Sequence, residues 1–134
     1  MSFPSQTMQA GGTIEPNRFV SANTSGVREV VQADGTTLIL GVSGDGAEVA
    51  PQSGSATPHA TEGNPCQVRQ VGSFCKVTAS AAVTAGDALI SDADGKAATA
   101  TDSGTELIGG IALESAGAED VLFDIMVVSY RTVN

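Results

Sequence analysis

The stretch VTAGDALISDADGKAATATDSGTELIGGIALESAGAEDVLFDIMVV, residues 83–128, decides how this chain is read. Ala88-Leu89-Ile90, Leu107-Ile108, residues 110–113 and residues 121–128 are apolar runs bounded by clusters of Gly, Asp and Ser, the pattern of short strands joined by turns. Asp94-Gly95 has the chemistry of a tight hairpin, and Thr84-Ala85-Gly86-Asp87 that of a turn before the strand that follows. In the closing segment Phe123, Ile125 and Val127 share one face, while Met126 and Val128 make the other face apolar too. Such a strand is central in a core or covered on its outer side by another subunit.

The same order of elements is readable upstream. Gly35-Thr-Thr-Leu-Ile-Leu-Gly41 matches Gly104-Thr-Glu-Leu-Ile-Gly-Gly110 at five of seven positions. Val42-Ser43 parallels Ile111-Ala112, Gly46-Ala47-Glu48 parallels Gly117-Ala118-Glu119, residues 67–71 can be laid on residues 124–128, and Arg18-Phe19-Val20 on Ala88-Leu89-Ile90. An echo of this length points to two similar halves, residues 14–72 and 83–129, with the Pro, Gly, Ser and Thr-rich stretch 51–64 as an excursion in the first. The expected fold is all-β: a small β-barrel or β-sandwich, one domain over residues 14–134. Strands are expected near residues 14–20, 27–33 and 38–42, with a hairpin of 66–71 and 74–79 around Gly72-Ser73. Residues 1–13, with Pro4, Gly11 and Gly12 and no strand or helix period, read as an extended, flexible N-terminal arm whose anchors are Phe3 and Met8.

Composition narrows the function. The chain has 134 residues, enough for one domain, and aromatic residues are 4% of it, so Val, Ile, Leu and Ala must fill the core. Such a core gains much from burying further surface against copies of itself or a partner. Fifteen acidic residues against six scattered Lys and Arg give a net charge of −9, which disfavours binding to nucleic acid or to an anionic membrane. No apolar run approaches the ~20 residues of a membrane-spanning helix, and the first residues lack the pattern of a signal peptide, so synthesis in the cytoplasm is expected. Cys66 and Cys75 do not face one another in the expected hairpin and read as two reduced, buried thiols.

No catalytic, cofactor or metal site can be assembled. His59, the single histidine, reads as an exposed loop residue without ligands at metal spacing. Asp92-x-Asp94-Gly95 has part of a calcium-loop pattern, but Ile90 and Thr101 stand where its first and last oxygen ligands should be, leaving a turn. Glu114, Glu119 and Asp120 lack the aromatic platform that glycoside chemistry would require, and the glycines form no phosphate cradle.

The segment VTAGDALISDADGK, followed by LIGGIALE and the apolar last strand, resembles the small capsid decoration, or cement, proteins of tailed bacteriophages; the resemblance covers about residues 72–129. It implies a non-enzymatic structural protein without cofactors, usually a homotrimer, that sits on the outer surface of the expanded phage head and clamps adjoining major capsid protein subunits. It supplies no map of interface residues. Their apolar character selects Phe3, Met8, Ile14, Phe19, Met126, Val128 and Tyr130 as expected contacts to the capsid or between subunits. The competing expectation is a carbohydrate- or receptor-binding β module on a virion surface, which would need a groove with exposed aromatics.

Overall fold

The computed structural model describes residues 5–25, 28–45, 58–101 and 104–132, and these form an all-β fold. The first five strands are β1 (Ser5–Ala10), β2 (Phe19–Ala22), β3 (Glu29–Gln32), β4 (Ile39–Ser43) and β5 (Pro65–Arg69). They close into a barrel in the order β1-β3-β2-β4-β5, with β1 parallel to β3 and antiparallel to β5. The next five are β6 (Phe74–Thr78), β7 (Ala88–Ser91), β8 (Ala97–Thr99), β9 (Leu107–Ala112) and β10 (Leu122–Arg131). They form a sheet in the order β6-β10-β9-β7-β8.

The sheet repeats the barrel pair by pair. The β1–β5 register runs from Ser5↔Arg69 to Gln9↔Pro65, and the β6–β10 register from Phe74↔Met126 to Thr78↔Leu122. Phe19↔Val42 and Val20↔Gly41 recur as Ala88↔Ile111 and Leu89↔Gly110; Val42↔Arg69 recurs as Ile111↔Met126. Even the parallel contact that closes the barrel, Ala10↔Val30, has its counterpart in a single parallel bridge, Ala79↔Ala97. So do the bridges outside the strands, Ile14↔Ala60 and Val83↔Ala116. The left-handed residue entering β2 is Asn17 (φ 57°) and the one entering β7 is Gly86 (φ 94°), two residue types that tolerate that conformation. The repeat seen in the Gly-Thr-x-Leu-Ile motif therefore extends through every strand. The counterpart of Phe19 is Ala88, however, so the match of Arg18-Phe19-Val20 to Ala88-Leu89-Ile90 is shifted by one residue.

Two expectations about connectivity are corrected. Residues 66–71 and 74–79 do not make a hairpin: β5 pairs with β1 and β4, whereas β6 pairs with β10. Gly72-Ser73 is a turn, with the Ser73 N–H donating to Gln70 O at 3.1 Å, but it joins the two halves. Period-two alternation gives each strand its faces and says nothing of its partner. The segment expected as a free arm is extended, and from Ser5 to Ala10 it is hydrogen-bonded into the barrel, with Ala10 fully buried and Met8 packed against the same core. Residue Phe3 lies outside the described residues, as does the first half of the 51–64 stretch, residues 51–57. The first strand expected at 14–20 begins only at Phe19; Ile14 instead makes its bridge to Ala60.

The core has two parts. Ala10, Ile14, Val20, Val30, Ala60, Cys66 and Val68 fill the barrel. The larger cluster joins the inward residues of the second half, among them Val77, Leu89, Phe123, Ile125 and Val127, to Phe19, Ile39 and Val42 on the outer face of the first half. The halves are thus packed head to tail: the outer face of the barrel plugs the open mouth of the second sheet. Gly109 is what makes room for the plug, since a methyl group there would stand 2.6 Å from Ile39 Cδ1 and 3.0 Å from Phe19. Main-chain bonds stitch the junction, Phe19 N–H to Gly95 O at 2.8 Å and Thr78 N–H to Asn17 O at 2.9 Å.

Candidate interaction surfaces

Polar groups that could be suspected of chemistry are occupied in holding turns and strand ends. His59 is not the exposed loop residue its neighbours Pro58 and Thr61 suggest. It is 1% exposed, and its Nε2 accepts the Gln67 N–H at 3.0 Å. The pairing of Ala60 with Ile14 draws this loop over the end of the barrel, so the imidazole is buried as a hydrogen-bonding core residue. The Asp92 carboxylate accepts from Asp94 N–H at 2.8 Å, Lys96 N–H at 2.9 Å and the Ser80 hydroxyl at 2.7 Å, so it braces the hairpin turn.

Other acids pair with lysines. Lys96 pairs with Asp120 at 2.7 Å and Glu119 at 3.3 Å, and its hydrogen bond to Asp120 raises the pKa of the ammonium. Lys76 pairs with Asp124 at 3.1 Å and Glu114 at 3.8 Å, and is raised chiefly by Asp124. Among the described residues no three His, Cys, Asp or Glu side chains group as metal ligands. Burial pushes the Cys75 thiol up to about 12, against a smaller opposing pull from Arg69.

What the surface offers is apolar. Ile14 and Phe19, selected from sequence as contact residues, are fully buried inside the chain, Ile14 in the barrel and Phe19 at the junction of the halves, and so cannot reach a partner. Met126 lies on the outer side of β10, between the inward Ile125 and Val127; Val128 is half-buried just beyond Val127, where the register with β9 shifts, and Tyr130 is exposed. Met8, half-buried, lines a groove of about 440 Å³ together with Leu40, Val68, Gln70 and Val71. This groove is the mouth of the barrel and carries no charged side chain.

A second apolar row crosses the sheet of the other half. Phe74 is opposite Met126, Met126 opposite Ile111 and Ile111 opposite Ala88, a row on the outer face in which Phe74 is 55% exposed and bordered by Lys76, Glu114 and Asp124. Leu40, Val71 and Phe74 were not selected from sequence. Each sits in a run that reads as core strand or turn, and each is exposed in the fold.

A model of the phage cement protein family matches residues 5–128. The chain belongs to the phage cement protein family. That membership gives it a structural role associated with the virion capsid. Its fold is shared with the solved head fiber gp8.5 N base in bacteriophage phi29, at 20% identity and a TM-score of 0.56 over 93% of both chains. No curated protein matches the sequence.

Proposed function

We propose that this cement protein binds the outer surface of the expanded phage head as a homotrimer and stabilises the contacts between major capsid protein subunits, without enzymatic activity. The observation that carries the reading is the family match over residues 5–128, which spans both halves of the repeat. The surface supports it: two apolar areas, the barrel mouth and the Phe74 row, stand on a chain of net charge −9. They are the places where a partner can bury apolar area, with the charges beside Phe74 left at the rim. An outer position also suits the charge, since the packaged nucleic acid lies on the far side of the shell and these residues offer no basic patch toward it. Three linked copies, each touching adjoining capsid subunits, would bind with an avidity beyond that of any single contact.

Contacts to the capsid or between subunits are assigned to Met126, Val128 and Tyr130 on β10, with Met8 at the barrel mouth. Cosedimentation of the purified protein with expanded and unexpanded heads tests the reading. Saturable binding to expanded heads, with little to unexpanded ones, is the expected result; failure to sediment with either overturns it.

A further inference from the structure

The internal junction is a template for a contact between copies. In the second half, the mouth of the sheet is lined by Val77, Gly109, Ile125 and Val127, and the plug from the first half, with Phe19 at its centre, covers it. The strand registers place Met8, Leu40, Val68 and Gln70 at the equivalent positions of the barrel mouth, 69 residues earlier on β1 and β4 (8 to 77, 40 to 109) and 57 earlier on β5 (68 to 125, 70 to 127). That mouth is open. The counterparts of the plug residues Phe19 and Val42 are Ala88 and Ile111, and both are half-exposed on the outer face of the second half. Each chain therefore has one unused mouth and one unused outer face, at opposite ends of a head-to-tail pair.

We propose that a second copy of this chain seats its barrel mouth, centred on Leu40, on the outer face around Ala88, Ile111 and Met126. Size complementarity selects this occupant. Within the chain a large residue on the face, Phe19, meets the smallest on the mouth, Gly109. Between copies the sizes are exchanged, with Ala88 small on the face and Leu40, 36% exposed, projecting from the mouth. None of the described residues lining the mouth is charged, and the nearest carboxylate on the face, Asp124, two residues from Met126 on β10, is paired with Lys76 at 3.1 Å, so two acidic chains approach there without an unpaired carboxylate on either side. A mouth-on-face contact is heterologous, and such a contact closes when its rotation completes a ring. The inference rests on the self-association proposed above and names the surfaces that make it.

Mixed cross-linking tests it. The Leu40→Cys and Ala88→Cys chains are prepared separately, mixed under mild oxidation and resolved without reductant; buried Cys66 and the protonated Cys75 give little background. A dominant disulfide between the two different variants, with neither variant alone forming much dimer, is the expected result, because a bridge needs Cα atoms within about 7 Å. Dimer from Leu40→Cys alone would mean a symmetric contact and overturns the proposal, as does no cross-link at any concentration. A charge version checks the same contact in solution. Leu40→Glu should lower the mass seen by light scattering, and Leu40→Glu combined with Ala88→Lys should restore it; an unchanged mass for Leu40→Glu contradicts the contact. Head binding is measured in parallel: loss of the cross-link with intact binding removes this contact alone, whereas a cross-link without head binding leaves the contact standing and removes the capsid reading.

Discussion

Replacing Gly109 by leucine, the residue at the equivalent position of the first half, should destabilise the fold, and replacing Phe19 by alanine should relieve part of the damage. At Gly109 the first added carbon would already stand 2.6 Å from Ile39 and 3.0 Å from Phe19, inside van der Waals contact. Overpacking of this kind costs ~3 kcal/mol or somewhat more. Phe19 is fully exposed to the core and not at all to solvent, so Phe19→Ala alone should cost ~4 kcal/mol through lost burial and the cavity left behind. In the double variant the leucine enters the space vacated by the ring, as Leu40 stands opposite no aromatic in the barrel. The two costs should then fall short of additivity by about 1–3 kcal/mol, the coupling expected of residues in direct contact. Urea unfolding of the four proteins, with similar m-values, measures this; Gly109→Ala serves if the leucine variant does not fold. Costs that add within about 0.5 kcal/mol would refute the plug-and-mouth description of the junction.

Two further outcomes follow from buried groups. His59→Ala removes the acceptor of the Gln67 N–H and opens a cavity at the barrel end, so the urea midpoint should fall by the equivalent of about 2–4 kcal/mol; a change near zero would mean that the imidazole is not part of the core. The Cys75 thiol, raised from 9.0 to about 12 by burial, should resist a thiol reagent at pH 8 in the folded protein and react once unfolded. Its pKa is higher folded than unfolded, so its contribution to stability is complete below pH 9 and declines as pH rises toward 12, by at most ~1.4 kcal/mol per pH unit. Cys75→Ala should flatten that slope, and an identical slope in both proteins would contradict the burial.

The sequence shows the turns and faces of this fold more clearly than its pairings. The Gly-Thr-x-Leu-Ile motif exposed the repeat because both copies need a left-handed glycine before a buried Ile, at Gly35 and Ile39 and again at Gly104 and Ile108. The inward set Phe123, Ile125 and Val127 was equally plain from its alternation. By contrast β1 has only Met8 and Ala10 as inward apolar residues among Ser, Gln and Thr, too short a pattern to separate a strand from a tail. His59 was misjudged because its burial depends on the distant bridge of Ala60 to Ile14. For the interaction surfaces the difficulty was similar: Phe19 and Ala88 occupy equivalent places, and only the head-to-tail packing shows that one is covered and the other is not. Of the residues selected from sequence, Met8, Met126 and Val128 are half-buried and Tyr130 is exposed.

The most direct test of the cementing role is the thermal stability of the capsid itself. Calorimetry of expanded heads, alone and with saturating protein, should show the shell transition moved to higher temperature, because a ligand that binds the intact lattice and not the dissociated subunits stabilises it by mass action. A transition unmoved at protein concentrations that saturate the heads would contradict a cementing role.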